Sequence, residues 1–232
     1  MIEVIELGKS YSRRKILEKV SFSLTDSCIY ALVGRNGTGK TTLLTSMVEA
    51  SFKDFGIVKI DGIPHHQMQA REHLFYVPDD KGMFLNLTGE EYLKFIVKLY
   101  HRTEDNILPQ IEELSQALHM EDSLHDYIAN YSLGMKQKIY MMAAFLSGAK
   151  NLILDEPFNG LDPESTAVLK RLLTEYRDRG SMILFSIHNL DLVSNFCDRI
   201  IFLDKNRKIS MTDNAKNFEE LEKVSFLEKC VE

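Results

Sequence analysis

The nine residues GRNGTGKTT, Gly34–Thr42, constrain the fold of this chain more than any other feature. They follow the apolar run CIYALV and precede LLTSMVEA, which can continue as a helix. They satisfy the pattern GxxxxGK[ST] in a strand, loop and helix context that a chance match rarely has. Backbone N–H groups of such a loop wrap a pyrophosphate at a helix N-terminus. The sequence therefore predicts a nucleotide site.

The composition is that of an ordinary globular protein and excludes several classes. The chain has 232 residues, 44% of them hydrophobic and 27% charged, with a formal net charge of −6. That charge argues against a broad nucleic-acid face, so no nucleic-acid partner is expected. Cys28, Cys197 and Cys230 are far apart and match no CxxC spacing, so neither a disulfide framework nor a zinc site is indicated, and a reducing cytosol fits best. No apolar run approaches the roughly 18 residues that cross a bilayer, so any membrane role requires a partner.

Short apolar runs alternate with helical patterns along most of the chain, which predicts an α/β fold with a mainly parallel sheet. The helical stretch from about Thr88 to Leu146 predicts an inserted all-helical lobe, and the first 25 or so residues predict a small antiparallel β region. We expect one domain over 1–232, with an α/β core at 1–87 and 147–232 and the lobe at 88–146. The predicted buried strands are CIYALV (28–33), HLFYV (73–77), NLILD (151–155), SMILFS (181–186) and RIIFLD (199–204).

Two helices have clear start signals. Asp162 can cap a helix whose first turn contains Pro163, and Gly180 would end it. Thr88 and Glu91 form a capping box at the start of the predicted lobe. The apolar stripe predicted to pack the Asp162 helix on the sheet consists of Val168, Leu169, Leu172, Leu173 and Tyr176.

The acidic pair in NLILDEP follows a buried strand and complements the glycine-rich loop. Asp155 is placed to hold Mg²⁺ through water, and Glu156 to orient or deprotonate the attacking water. Lys40 would reach the β and γ phosphates, while the Thr41 hydroxyl would bind Mg²⁺. An isolated acidic pair at a strand end more often starts a helix. Its combination with the loop at Lys40 favours catalysis.

The motifs and their order resemble the ATP-binding cassette (ABC) ATPases, a family of P-loop NTPases, over nearly the whole chain. The motifs are GRNGTGKTT, YVPDDKG, YSLGMKQK, NLILDEP, NGLDP and SIHNLD. The resemblance implies an ATP hydrolase coupled to transmembrane transport, with ATP and Mg²⁺ bound. The loop residues implied to bind ATP are Gly34, Arg35, Asn36, Gly37, Thr38, Gly39, Lys40, Thr41 and Thr42.

The same resemblance implies roles for residues outside the loop. Tyr11 either stacks on the adenine or is a plain surface tyrosine, and His188 contacts the γ phosphate and helps to arrange the water. Ser132 and Gly134, in the segment that resembles LSGGQ, bind the γ phosphate held by a second subunit. This implies a head-to-tail dimer with two ATP molecules. Leu133 departs from the family pattern and requires a backbone that avoids positive φ.

YVPDDKG occupies the position of the family's Q-loop, where YVPQ is usual, so Asp79 replaces a glutamine. Our hypothesis is that Asp79 binds Mg²⁺ or its water in the closed dimer. The alternative is a polar turn. Two carboxylate or phosphate charges about 4 Å apart repel by roughly 4 kcal/mol at an effective dielectric of 20, but a metal between them reverses the sign.

A single cassette of this kind implies a separate polytopic membrane permease and a position at the cytoplasmic face of the cell membrane. Met83, Phe84 and Leu85 face either a permease helix or the core. NGLDP and the short chain favour an exporter of drugs, antibiotic peptides or lipids. The alternatives are a non-transport ABC ATPase acting on the ribosome or nucleic acid, and a low-turnover ATP-dependent switch. A homodimer and a heterodimer both remain open.

The apolar stripe predicted to pack the C-terminal tail on its own domain is Phe218, Leu221, Val224 and Leu227.

Overall fold

The computed structural model describes residues 1–80, 82, 84–102, 107–188, 196–204 and 207–213. Its strands are β1 (Ile2–Tyr11), β2 (Arg14–Leu24), β3 (Cys28–Val33), β4 (Phe55–Ile60), β5 (Ile63–Pro64), β6 (Leu74–Val77), β7 (Asn151–Leu154), β8 (Met182–Ile187), β9 (Arg199–Leu203) and β10 (Ile209–Asp213). Its helices are α1 (Lys40–Val48), α2 (Met68–Glu72), α3 (Gly89–Leu99), α4 (Leu108–Ala117), α5 (Leu133–Ser147) and α6 (Pro163–Asp178). The tail stripe, Met83 and Cys230 lie outside the described residues.

A six-stranded sheet in the order β10-β9-β3-β8-β7-β6 forms the centre of the fold. Its strands are parallel except for β10, which runs antiparallel to β9. Every residue of β3, β7 and β8 is buried, as expected for parallel strands covered on both faces. All five predicted strands are present, and the predicted α/β fold class is confirmed.

A second, antiparallel sheet has the order β2-β1-β4-β5. β1 and β2 supply the predicted N-terminal β region, but the sequence analysis missed β4 and β5. β4 is partly exposed and interrupted by Gly56 at φ +100°, so it lacks the continuous apolar run that identified the central strands. The missed strand β10 is short, polar and at a sheet edge.

Helices occupy most of the chain between β6 and β7. Among the residues described there, the only β pairing is an isolated bridge between Thr88 and Tyr127. Tyr92 and Ile96 of α3 share one hydrophobic cluster with Phe75 and Leu154 of the sheet, so this helical region packs directly on the core. The division of the chain into core and lobe at 88–146 stays a prediction.

The predicted helix starts are confirmed. The Thr88 hydroxyl accepts from Glu91 N at 3.2 Å, and Thr88 N donates to Glu91 Oε2 at 2.8 Å. Asp162 Oδ1 accepts from Ser165 N at 2.7 Å and caps α6. Leu169 and Leu173 of the predicted α6 stripe are fully buried, and its other members pack at the edge of the same cluster. No helix within the described ranges is long and apolar enough to cross a membrane.

Candidate active site

The glycine-rich loop connects the end of β3 to the start of α1 and is folded tightly against its neighbours. Gly39 has φ +109° and directly precedes α1. A Cβ atom at Gly39 would lie 2.6 Å from Ile16 Cγ2, so any larger residue would displace the Ile16 side chain as well as strain the backbone. Thr38 donates to the Arg35 carbonyl from both its backbone N, at 3.2 Å, and its hydroxyl, at 2.8 Å. The loop therefore has a defined shape at the N-terminus of α1.

Lys40 links this loop to the acidic pair. Its side chain is only 7% exposed, its Nζ donates to the Gly34 carbonyl at 2.9 Å, and the same Nζ lies 3.9 Å from Glu156 Oε1. The next residue, Thr41, is exposed at the first turn of α1. An ammonium group between a phosphate-binding loop and a carboxylate can contact a phosphate on one side and balance charge on the other.

Asp155 lies directly after β7 and is completely buried. Its N donates to the Val77 carbonyl at 2.8 Å, and its Oδ1 accepts from the Ser186 hydroxyl at 2.5 Å. Oδ2 is buried and receives no hydrogen bond from the part of the chain that the structure describes. A buried carboxylate oxygen without a donor is costly in a protein interior. Asp155 therefore fits a cation or its coordinated water.

Glu156 adopts an unusual backbone conformation beside Asp155. Its φ of +49° lies in the left-handed region, which costs a non-glycine residue free energy. Its N donates to the Ser186 hydroxyl at 2.9 Å, and its Oε2 lies 3.1 Å from His188 Nδ1. His188 has 55% of its side chain exposed. The structure therefore brings Lys40, Asp155, Glu156 and His188 into one site.

The sequence analysis missed Ser186, although it contacts both members of the acidic pair. It is a fully buried residue of β8, which lies beside β7 in the sheet. The only signal in the sequence is a serine within an otherwise apolar run, two residues before His188.

The segment YSLGMKQK forms the start of α5. The Ser132 hydroxyl accepts from Met135 N at 3.2 Å and caps the helix. A Cβ atom at Gly134 would lie 2.6 Å from the Gly160 carbonyl oxygen, so only glycine fits against the NGLDP turn. Leu133 is helical, does not have positive φ and is 59% exposed, which meets the condition set from the sequence.

Comparison with known proteins identifies the family. Residues 17–159 match the family model described as ABC transporter. The chain belongs to this family. AlbC of Bacillus subtilis (strain 168), named as an ABC transporter ATP-binding protein, is 34% identical over 206 residues, which cover 85% of each chain. SkfE of the same strain, named as the SkfA peptide export ATP-binding protein, is 29% identical over 220 residues, or 95% of this chain and 92% of SkfE.

A solved ATP-binding subunit of an ABC transporter has the same fold. It superposes with a TM-score of 0.88 at 28% identity, covering 96% of this chain and 93% of the other. The present chain is thus an ATP-binding subunit of an ABC transporter, with ATPase activity coupled to transport. The transporter interpretation holds over the ribosome, nucleic-acid and low-turnover alternatives.

The Q-loop of this ABC subunit follows β6. Asp80 Oδ1 accepts from Gly82 N at 2.9 Å, so Asp80 shapes the turn, whereas Asp79 is exposed. Burial, together with the charges of Asp155, Glu49 and Asp79 and against the hydrogen bond with Thr45, raises the pKa of the neighbouring Tyr76 to about 12. Both aspartates therefore act on the same phenol. A metal or water contact of Asp79 stays a prediction.

Tyr11 and the pair Phe84 and Leu85, for which the sequence left two interpretations open, are each partly exposed and partly packed. Tyr11 ends β1 with 48% of its surface exposed, and its ring meets Phe52 edge-on with 6.2 Å between centroids. This geometry leaves both the adenine-stacking and the plain surface interpretation open. Phe84 and Leu85 are partly buried against the core, with the Phe84 ring 5.1 Å from that of Tyr92. Core packing is thus favoured over a permease contact for these two residues.

Proposed function

We propose that this subunit binds Mg²⁺-ATP at Gly34–Thr42 and hydrolyses it with Glu156 as the base, in a closed dimer of two cassettes. The observation that carries the proposal is the buried Asp155 Oδ2, which has no partner among the residues that the structure describes, beside the linked side chains of Lys40, Glu156 and His188. A structural role alone does not explain a carboxylate held in this state. A metal or its water shell would satisfy it.

Thr41, Asp155 and Asp79 are the residues that we assign to Mg²⁺. When bound, the metal neutralises charge on the β and γ phosphates. Lys40 is assigned to the same phosphates, and its Nζ donates to the Gly34 carbonyl at 2.9 Å and lies 3.9 Å from Glu156 Oε1. The loop amides of Gly34–Thr42 and the N-terminus of α1 supply further positive potential. Tyr11 is assigned to the adenine.

Glu156 is the residue we assign to proton transfer. Its carboxylate accepts the proton of the attacking water, and His188, 3.1 Å away, holds that carboxylate and contacts the γ phosphate. Ser186 holds the backbone of Glu156 and His188 contacts its carboxylate, so both ends of the residue have a partner. Such preorganisation lowers the cost of reaching the transition state.

The start of α5 supports the dimer. Ser132 and Leu133 are exposed, and among the described residues no hydrogen bond or ion pair joins Ser132 to the glycine-rich loop of its own chain. We therefore assign Ser132 and Gly134 to the γ phosphate of a second cassette, which is either an identical chain or a related one. The partner's Ser132 and Gly134 would in turn complete the site of this chain.

We further propose that the dimer drives a polytopic membrane permease from the cytoplasmic face of the cell membrane, in the direction of export. The peptide-export name of SkfE supports the direction. The permease contact is proposed beside the Q-loop and the helical region. Met68 of α2 and Leu99 of α3 line one groove and are among the most exposed apolar residues of the described chain.

Purification of the tagged full chain from its native membranes in a mild detergent tests this proposal. A polytopic membrane protein should copurify, and the complex should hydrolyse ATP in a Mg²⁺-dependent manner. The same preparation with Lys40→Ala should keep the membrane protein and lose hydrolysis. Recovery only in the soluble fraction, or with ribosomes, would contradict the transporter assignment of the partner, and hydrolysis by the Lys40→Ala complex would contradict the site.

A further inference from the structure

We propose that Ser186 is a positioning residue that holds the metal ligand and the base of this site in a fixed relation. This inference rests on the function proposed above for Asp155 and Glu156. Ser186 Oγ donates to Asp155 Oδ1 at 2.5 Å and accepts from Glu156 N at 2.9 Å. One buried hydroxyl therefore binds the side chain of the first residue and the backbone of the second.

For Asp155, the hydroxyl determines how the carboxylate is rotated. The terminal torsion of an aspartate is broad and has little intrinsic preference, so a neighbouring donor must set it. Ser186 binds Oδ1, while Oδ2 receives no hydrogen bond from any described residue. The carboxylate thus presents one engaged and one available oxygen. Without the hydroxyl, the two oxygens would become equivalent and the available one would no longer be fixed.

For Glu156, the hydroxyl supports a conformation that the residue would not adopt by itself. A non-glycine residue at positive φ persists only where its surroundings over-determine it. The Ser186 bond holds the backbone N of Glu156, whose φ is +49°, and His188 holds the carboxylate. Loss of the backbone bond would allow Glu156 to relax towards ordinary φ values, which would move its carboxylate away from His188 and Lys40.

Packing alone does not account for a serine at this position. The other residues of β8 are apolar and, like Ser186, buried, and an alanine would fill the strand without the cost of burying a hydroxyl. Both hydrogen bonds of Ser186 go to the two residues assigned to metal binding and proton transfer. The strand β8 also leads directly to His188, so the same element positions three parts of the site.

The test compares Ser186→Ala and Ser186→Thr with a matched control, Ser147→Ala, in the full chain. Ser147 is also buried, donates to the Ala144 carbonyl at 2.7 Å and accepts from Ala149 N at 3.1 Å, but it lies on α5 outside the site. Fluorescence titration with a labelled ATP analogue, in EDTA and in Mg²⁺, measures how much Mg²⁺ strengthens binding. Steady-state kinetics separate kcat from KM, and thermal melting reports the fold.

We expect Ser186→Ala to keep the affinity for the analogue in EDTA while the Mg²⁺-dependent gain in affinity and kcat each fall by about 10- to 100-fold, the range of a hydrogen bond to a charged group. Ser186→Thr, which keeps the hydroxyl, should restore most of both. Ser147→Ala should lower the melting temperature and leave the Mg²⁺ gain and kcat unchanged.

Two results would overturn the inference. One is a folded Ser186→Ala variant with the Mg²⁺ gain and kcat of the parent chain, and the other is a Ser186→Thr variant that melts like the parent but behaves like Ser186→Ala. Failure of the underlying site looks different, because the unsubstituted chain would then show no Mg²⁺ gain, or Asp155→Asn would leave that gain intact.

Discussion

The two edges of the parallel sheet carry charged clusters that differ in how completely their groups are paired. At the amino edge, Asp61 Oδ1 accepts from Lys150 Nζ at 3.2 Å and Oδ2 lies 3.1 Å from His73 Nδ1. Lys150 also lies 2.7 Å from Asp26 Oδ2, and the amine of Met1 contacts both aspartates. Each oxygen of these two carboxylates has a partner.

At the carboxyl edge, the pairing is incomplete. Asp155 keeps one buried oxygen without a partner in the described residues, and Lys40 Nζ lies as far as 3.9 Å from Glu156 Oε1. Sequences generally satisfy their buried polar groups and depart from that rule at functional sites. The comparison therefore separates a cluster that stabilises the fold from one whose partners come from a ligand. Variants at each edge should affect different properties.

The largest effect is expected at the carboxyl edge. Glu156→Gln keeps the shape of the side chain but removes the proton acceptor, so ATP turnover should fall by about 10²- to 10⁴-fold, the usual contribution of a general base. Nucleotide should still bind, and a dimer should accumulate in ATP and Mg²⁺. Steady-state ATPase assays and size-exclusion chromatography measure the two results.

Glu164→Gln is the matched control for that variant. Glu164 lies in the first turn of α6, with 77% of its side chain exposed. It should retain parental turnover and show no ATP-dependent accumulation of dimer. Glu156→Gln with the turnover of the parent chain would contradict the role of Glu156 as the base. An equal loss of turnover in both variants would show that the loss is not specific to the site.

His65 provides a second buried group with an unpartnered atom, and it tests whether such an atom always indicates a ligand. Its Nε2 is buried without a partner in the described residues. Burial, followed by the charge of Lys53, lowers the pKa of His65 to about 4. The imidazole therefore stays neutral in the fold. A neutral nitrogen in an apolar site costs less than a charged oxygen, so we expect a role in stability alone.

The sign of the pH effect follows from this lowered pKa. Between about pH 6.5 and 4 the unfolded chain binds a proton at His65 and the folded chain does not, so stability falls as the pH decreases through this window. Below about pH 4, this proton uptake by the unfolded chain lowers the free energy of unfolding by about 3 kcal/mol relative to its value above pH 6.5. Urea unfolding of the parent and His65→Phe should show a shallower pH slope in the variant. The exposed His125→Phe should keep the parental slope, and equal slopes in the parent and His65→Phe would contradict the prediction.

Most of the site could be predicted from the sequence because its main residues lie in short contiguous motifs. The loop at Lys40, the pair Asp155 and Glu156, and His188 each follow an apolar run that is easily recognised as a buried strand. In a parallel sheet, the carboxyl ends of such runs meet at one edge. The position of the site therefore follows from the order of the strands.

The remaining features depend on contacts between distant parts of the chain. Ser186 reaches Asp155 because β7 and β8 pair in register, with Leu154 opposite Phe185, and no local pattern contains that information. Asp61 and Lys150 are 89 residues apart in sequence. β4 and β10 escaped prediction because partly exposed strands take their stability from neighbouring strands more than from their own composition.

The smallest effect, after those of Glu156→Gln and His65→Phe, is expected for Asp61→Asn at the amino edge. It tests whether the paired cluster there stabilises the fold without a role in catalysis. Burial alone would raise the pKa of Asp61, but hydrogen bonds from the Met1 amine, His73 and Lys150 outweigh it and lower the pKa to about 2. This stabilisation is present above about pH 4 and is lost as the pH falls towards 2. Asp61→Asn should therefore lower the free energy of unfolding at pH 7 by about 2 kcal/mol, measured in urea.

The exposed Asp122→Asn should change the free energy of unfolding by less than about 0.5 kcal/mol. Both variants should keep ATP turnover within about twofold, since neither alters the site, and a large loss of turnover in a folded Asp61→Asn chain would show that the amino edge also contributes to catalysis.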